Sequence, residues 1–173
     1  NEINRAIISG YMMKKVLTEE ISLRDILKDL DSFLLSNNHK DNKDIFSIEK
    51  HAVEAAKRLA VLIFQEALCE FGQDLKHEQQ LSEAFADIFT HIFTSESVIC
   101  RAQQTMSSNG ISNMSFNIAK IDVAESLLDV RSLSSKCLNR IFSEEVPNRV
   151  MGPVIKLHDI INLNTDTISL KRS

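Results

Sequence analysis

An all-α fold, an antiparallel helical bundle of three long helices with shorter helices on its flanks, is predicted by three features of this sequence. Apolar side chains recur at intervals of three and four along most of the chain, the spacing that lines one face of a helix. Glycine and proline are scarce, with four and two copies in 173 residues, and both prolines, Pro147 and Pro153, lie in the final third. Long helices can therefore form before them. No strand-forming run or solenoid-type repeat interrupts the pattern, so packing of amphipathic helices is the economical architecture.

The first helix is expected over Glu2 to Thr18, where Ile3, Ala6, Ile7, Tyr11, Met13 and Leu17 approximate one apolar face. A second, short helix carries Ile21, Leu23, Ile26, Leu27, Leu30, Phe33 and Leu34, with Ser22 placed to accept backbone N–H bonds at its start. Eight consecutive polar residues, Asn37 to Asp44, cannot build a core face and make local turns readily, so an exposed loop is expected there. The third helix, about Ser47 to Phe71, bears Ile48, Ala52, Ala55, Ala56, Leu59, Leu62, Ile63 and Ala67, and Gly72 stands as its stop. Its alanines permit close packing.

The fourth helix is expected from Lys76 to Ser108, about 50 Å long at the helical rise, with Leu81, Phe85, Ile88, Phe89, Ile92, Phe93, Ile99 and Ala102 as its buried stripe. The fifth starts near Asn113 or Ser115 and reaches Phe142, with a broad apolar face that includes Ile118, Val123, Leu127, Leu128, Val130 and Cys137. Pro147 is suited to the first turn of a last helix, Pro147 to Ile161, because its missing N–H has no helical partner there. An interruption or bend is expected near Gly152-Pro153, and extended coil from Asn162 to Ser173. Short links favour antiparallel neighbours.

Twenty basic residues against 24 acidic ones give a formal charge of −4, which supplies no general electrostatic reason to bind nucleic acid. Cys69, Cys100 and Cys137 are odd in number and far apart, as expected in a reducing compartment. The densest apolar run, Leu59 to Phe64, is far shorter than a bilayer span. There is no signal-peptide core and no initiating methionine, so a soluble fragment is expected.

The candidate chemical constellations are sparse. His77 and His91 lie two heptads apart, with Asp87 four residues before His91. A metal site needs more convergent ligands, so a hydrogen bond between Asp87 and His91 is expected instead, and no metal ligand is assigned. His39, His51 and His158 stand apart and are expected to be exposed. Adjacent carboxylates in Glu19-Glu20 and Glu144-Glu145 point about 100° apart on a helix and are expected to be solvated. Cys100 lies beside the apolar stripe and is expected to be at least half-buried, while Tyr11 and Met12 to Lys15 read as core filler in preference to a ligand patch. The isolated glycines exclude a phosphate loop.

Asn1-Glu2-Ile3-Asn4-Arg5, followed by Gly10-Tyr11-Met12-Met13-Lys14-Lys15, resembles the segment after the Glu-Gly-Thr tripeptide of acyl-CoA dehydrogenases. Val16 to Leu23, Phe71-Gly72-Gln73-Asp74, and Glu78-Gln79 through Ser97-Val98-Ile99-Cys100-Arg101-Ala102 are similar to the subset with a carboxyl-terminal extension, the very-long-chain enzyme and its complex I assembly relative. The resemblance is dense at the start and weak after Asn109. It implies a catalytic glutamate just before Asn1, which takes an α proton while a flavin accepts hydride. No catalytic residue is therefore assigned here. It also makes Asn1 and Glu2 candidate FAD neighbours, with helix capping as the competing role. A family arginine that contacts CoA has no counterpart, since Gly10 stands there.

The resemblance further implies a division into residues 1–35, the end of the dehydrogenase core and a linker; 36–46, an exposed loop; and 47–173, the helical extension. FAD is expected in the full-length protein and none on the fragment alone. The expected partners are the rest of the dehydrogenase chain, a second copy in a homodimer, and a membrane surface or electron-transfer protein. The expected compartment is the cytoplasm of a bacterium or a mitochondrial matrix. Two rival readings are a stand-alone helical interaction adaptor and a membrane-surface module.

Overall fold

The computed structural model describes residues 2–18, 22–35, 44–109 and 113–163. Its elements are α1 (Glu2–Leu17), α2 (Leu23–Lys28), α3 (Leu30–Leu35), α4 (Ser47–Phe71), α5 (Gln79–Asn109), α6 (Asn113–Ile141) and α7 (Asn148–Ile161), and no strand occurs among the described residues. A 3-10 segment, Gly72–His77, joins α4 to α5.

The packing follows from α4. Val53, Ala56, Leu59, Ala60, Leu62, Ile63, Phe64 and Ala67 are all buried, and residues so spread around a helix cannot all face one neighbour. Helix α4 therefore lies inside, with α2, α5, α6 and α7 around it. Its alanines leave room for close approach, and Phe64 meets Phe85 of α5 edge-on at 5.0 Å between ring centroids. Each fully buried aliphatic or aromatic side chain of this kind contributes about 1.5–3 kcal/mol.

Pairings between helices fix their directions. Lys57 reaches Glu96 while Phe64 reaches Phe85, so α4 and α5 are antiparallel. Glu78 pairs with Arg140 and His91 approaches Asp129, which makes the entry to α5 and α6 antiparallel as well. Phe46 touches Phe116 and Glu49 pairs with Lys120, so α4 and α6 run the same way. The predicted all-α bundle of three long helices is the observed one.

Several local expectations hold. Ser22 caps α2 by accepting the N–H of Asp25 at 3.2 Å, and Gly72 terminates α4. Others are corrected. The second predicted helix is two, because the chain breaks at Asp29 before resuming at Leu30. Helix α5 begins at Gln79 rather than Lys76, since Gly72–His77 winds as a 3-10 turn that buries Leu75. Pro147 is the cap residue of α7, one position before the helix, and α7 continues through Gly152-Pro153. In the segment read as an exposed loop, residues 36–43 lie outside the described residues, and Phe46 is buried against Phe116. The tail from 164 onward also lies outside them.

Gly72 has φ 52° and ψ −125°, a region that a side chain enters only under strain of about 1–3 kcal/mol. A Cβ built there meets nothing within 4 Å, and neither does one at Gly152 inside α7. Gly72→Ala is therefore expected to destabilise the fold by about 1–3 kcal/mol, whereas Gly152→Ala is expected to stabilise it by about 0.5–1 kcal/mol. Urea midpoints of the two variants check this, and equal shifts of the same sign would refute it.

Candidate functional site

Helix α1 has two unlike faces. One lies on α5, where Arg5 Nε donates to Asp87 Oδ1 at 2.7 Å and Met12 enters a cavity lined by α2, α4 and α5. The other carries Ile3, Ile7 and Tyr11, one above the next at four-residue spacing and 78%, 62% and 57% exposed. Ile3, Ile7 and Tyr11, expected to face the core, therefore face outward instead, because α5 takes the Arg5–Met12 side. Lys15 lies 5.3 Å from the Tyr11 ring centroid, so the stripe ends on a cation–π contact. An apolar row beside a packed face is a surface for a further apolar partner.

On helix α6, Met114, Ile118 and Leu128 are exposed, spread over about 80° of the helix surface with the exposed Glu125 between them. Phe93 of α5, expected in the buried stripe, is 71% exposed. Cys100, one further turn-pair along that side, is exposed too, which corrects the expectation of burial. Cys69 is exposed, while Cys137 is buried and its thiol is pushed up to about 12 by that burial. A thiol in that state is a poor nucleophile.

The buried polar groups form pins between helices. Glu66 of α4 is buried and accepts two bonds from Arg149 of α7, at 2.7 and 2.8 Å. Glu49 faces Lys120 of α6 at 3.2 Å. Near the mouth of α4, Asp44 accepts from Lys50, from the N–H of Phe46 and from Gln103, and these contacts, Lys50 foremost, hold its carboxyl below the ordinary value. Burial opposes ionisation of Glu54, yet hydrogen bonds from Lys57 and Arg58 hold its carboxyl below the ordinary range.

The histidines depart from their expected exposure. His51 is buried and stacked on Phe33 at 4.7 Å, with the Arg58 guanidinium 4.1 Å from the same ring. His158 lies 2.8 Å from Ser134 Oγ. When the Ser134 hydroxyl donates to the Arg131 carbonyl at 2.7 Å, Oγ can accept from the Nε2–H tautomer of His158. In that tautomer the ring nitrogen donates, and the serine is not activated as a nucleophile. Burial, then the nearby Arg131, push the His158 pKa below its ordinary 6.5. Asp87 bonds Arg5 in place of the expected His91, and His91 lies 3.8 Å from Asp129. His39 and Glu19-Glu20 lie outside the described residues, and Glu144-Glu145 are exposed.

Of the two candidate flavin neighbours, Asn1 and the side chain of Glu2 lie outside the described residues, although Glu2 opens α1. The described residues do not fit a complete FAD. Their cavities of about 370, 280 and 240 Å³ are half-open clefts between helices, and the glycines nearby are isolated, so none forms a phosphate cradle. No flavin step is assigned to them. No group of three or more potential metal ligands converges among the described residues, and no described helix is long and apolar enough to cross a membrane.

The family described as acyl-CoA dehydrogenase, C-terminal domain, matches residues 55–156, from the middle of α4 into α7. A Bacillus subtilis (strain 168) protein named "Probable acyl-CoA dehydrogenase" is 26% identical over 111 residues, which cover 64% of this chain and 19% of that protein. A crystal structure of an acyl-CoA dehydrogenase complexed with FAD from Bacillus anthracis has the same fold, with a TM-score of 0.83 at 20% identity over 99% of this chain and 29% of the other. The chain thus spans less than a third of the length of either relative.

Two outcomes follow from these contacts. Because the folded pKa of His158 lies below 6.5, the unfolded state binds the proton more readily. Stability is complete above that value and is expected to fall as pH drops from 6.5 through the folded pKa; His158→Gln should flatten that part of a plot of urea midpoint against pH, and an unchanged slope would count against it. For Arg5 and Asp87, both partly exposed, a double-mutant cycle with Arg5→Met and Asp87→Asn should give a coupling of about 0.5–1 kcal/mol. Faster hydrogen exchange confined to α1 should accompany it, and strictly additive losses would exclude the pair as the clamp on α1.

Proposed function

The chain belongs to the acyl-CoA dehydrogenase C-terminal domain family, and from that premise we propose that it is the helical carboxyl-terminal part of an FAD-dependent dehydrogenase acting on fatty acyl-CoA thioesters. The observation that carries this reading is the family match, which spans most of the four-helix unit α4–α7. In the full protein, α,β-dehydrogenation belongs to a portion that bears the flavin and a catalytic carboxylate. The part described here supplies packing and assembly. Residues 1–35 then complete the dehydrogenase core and its linker, residues 36–46 form the connection, and residues 47–173 form the extension. Asn1 and Glu2 are proposed to lie next to the flavin.

On this reading, the outward Ile3–Ile7–Tyr11 face of α1 packs on the flavin-bearing portion. Its exposure supports that role, since an apolar helix face of this size is costly in water. The exposed Met114, Ile118 and Leu128 of α6, and Phe93 of α5, are proposed to serve contact with a second copy, a membrane surface or an electron-transfer protein. The cytoplasm of a bacterium or a mitochondrial matrix is the proposed location.

The 173-residue chain incubated with FAD and desalted is expected to be colourless and to give no dye reduction with a fatty acyl-CoA. Absorbance near the flavin maximum is the measurement. Stoichiometric flavin retained by this chain alone would overturn the proposed division of labour.

A further inference from the structure

We draw no further inference here: the strongest candidate, the apolar cavity of about 240 Å³ that Met12, Leu23, Phe64 and Phe89 line among α1, α2, α4 and α5, carries nothing because nothing in the structure shows what covers it, and the cation at its wall, Lys57, is already held between Glu54 and Glu96.

Discussion

The burial of α4 constrains the rest of the molecule. A helix with apolar side chains around most of its circumference must be enclosed, and enclosure by apolar contact alone is permissive about rotation and register. Helix α4 is also studded with polar groups that tolerate few arrangements. Glu49 takes Lys120 of α6, His51 stacks on Phe33 of α3, Lys57 takes Glu96 of α5, and Glu66 takes Arg149 of α7. Helices α3, α5, α6 and α7 are thus each registered against α4 by a contact of their own. A slide of one turn would leave a buried carboxylate or imidazole without its mate, an arrangement that costs far more than the pair itself contributes.

Stability and specificity are therefore divided between two sets of side chains. Leu59, Ile63, Phe85, Val123, Leu127 and Leu157 supply the burial that offsets chain entropy. The polar pins add little net energy where they are exposed at one end. Arg149 illustrates the compromise: its guanidinium lies largely in solvent while both of its bonds end on a buried carboxylate. Solvation of the cation lowers the cost of the pair, and the planar fork still fixes α7 in orientation.

What the sequence made legible was local. The limits of α4 and the role of Gly72 follow from periodicity and a residue that accepts positive φ, and Ser22 is legible as a cap because its partner is three residues away. The break at Asp29 was hidden inside a continuous apolar pattern, and the 3-10 turn at Gly72–His77 inside a polar one. The candidate surfaces were read least well. Ile3, Ile7 and Tyr11 form a sound helical stripe, but periodicity shows only that a face is apolar and does not identify which neighbour takes it. The exposure of Phe93 and Cys100 is illegible in periodicity for the same reason. The contacts that register the helices join residues 18 to 83 positions apart, as in Phe33 with His51 and Glu66 with Arg149, and nothing local in one sequence announces such pairs.

The two faces of α1 connect this packing to function. Helix α1 packs on the bundle along one side, against α5, with the Arg5–Asp87 ion pair and Met12 at a cavity wall among its contacts. Helices α4 to α7 are joined through α4 and α6, and the family match begins within α4 and ends within α7. A helix held on one side by a solid unit, with an apolar row on the other, is mechanically suited to join that unit to a second body. The buried Cys137 and the Ser134 hydroxyl are, by contrast, packed within the bundle.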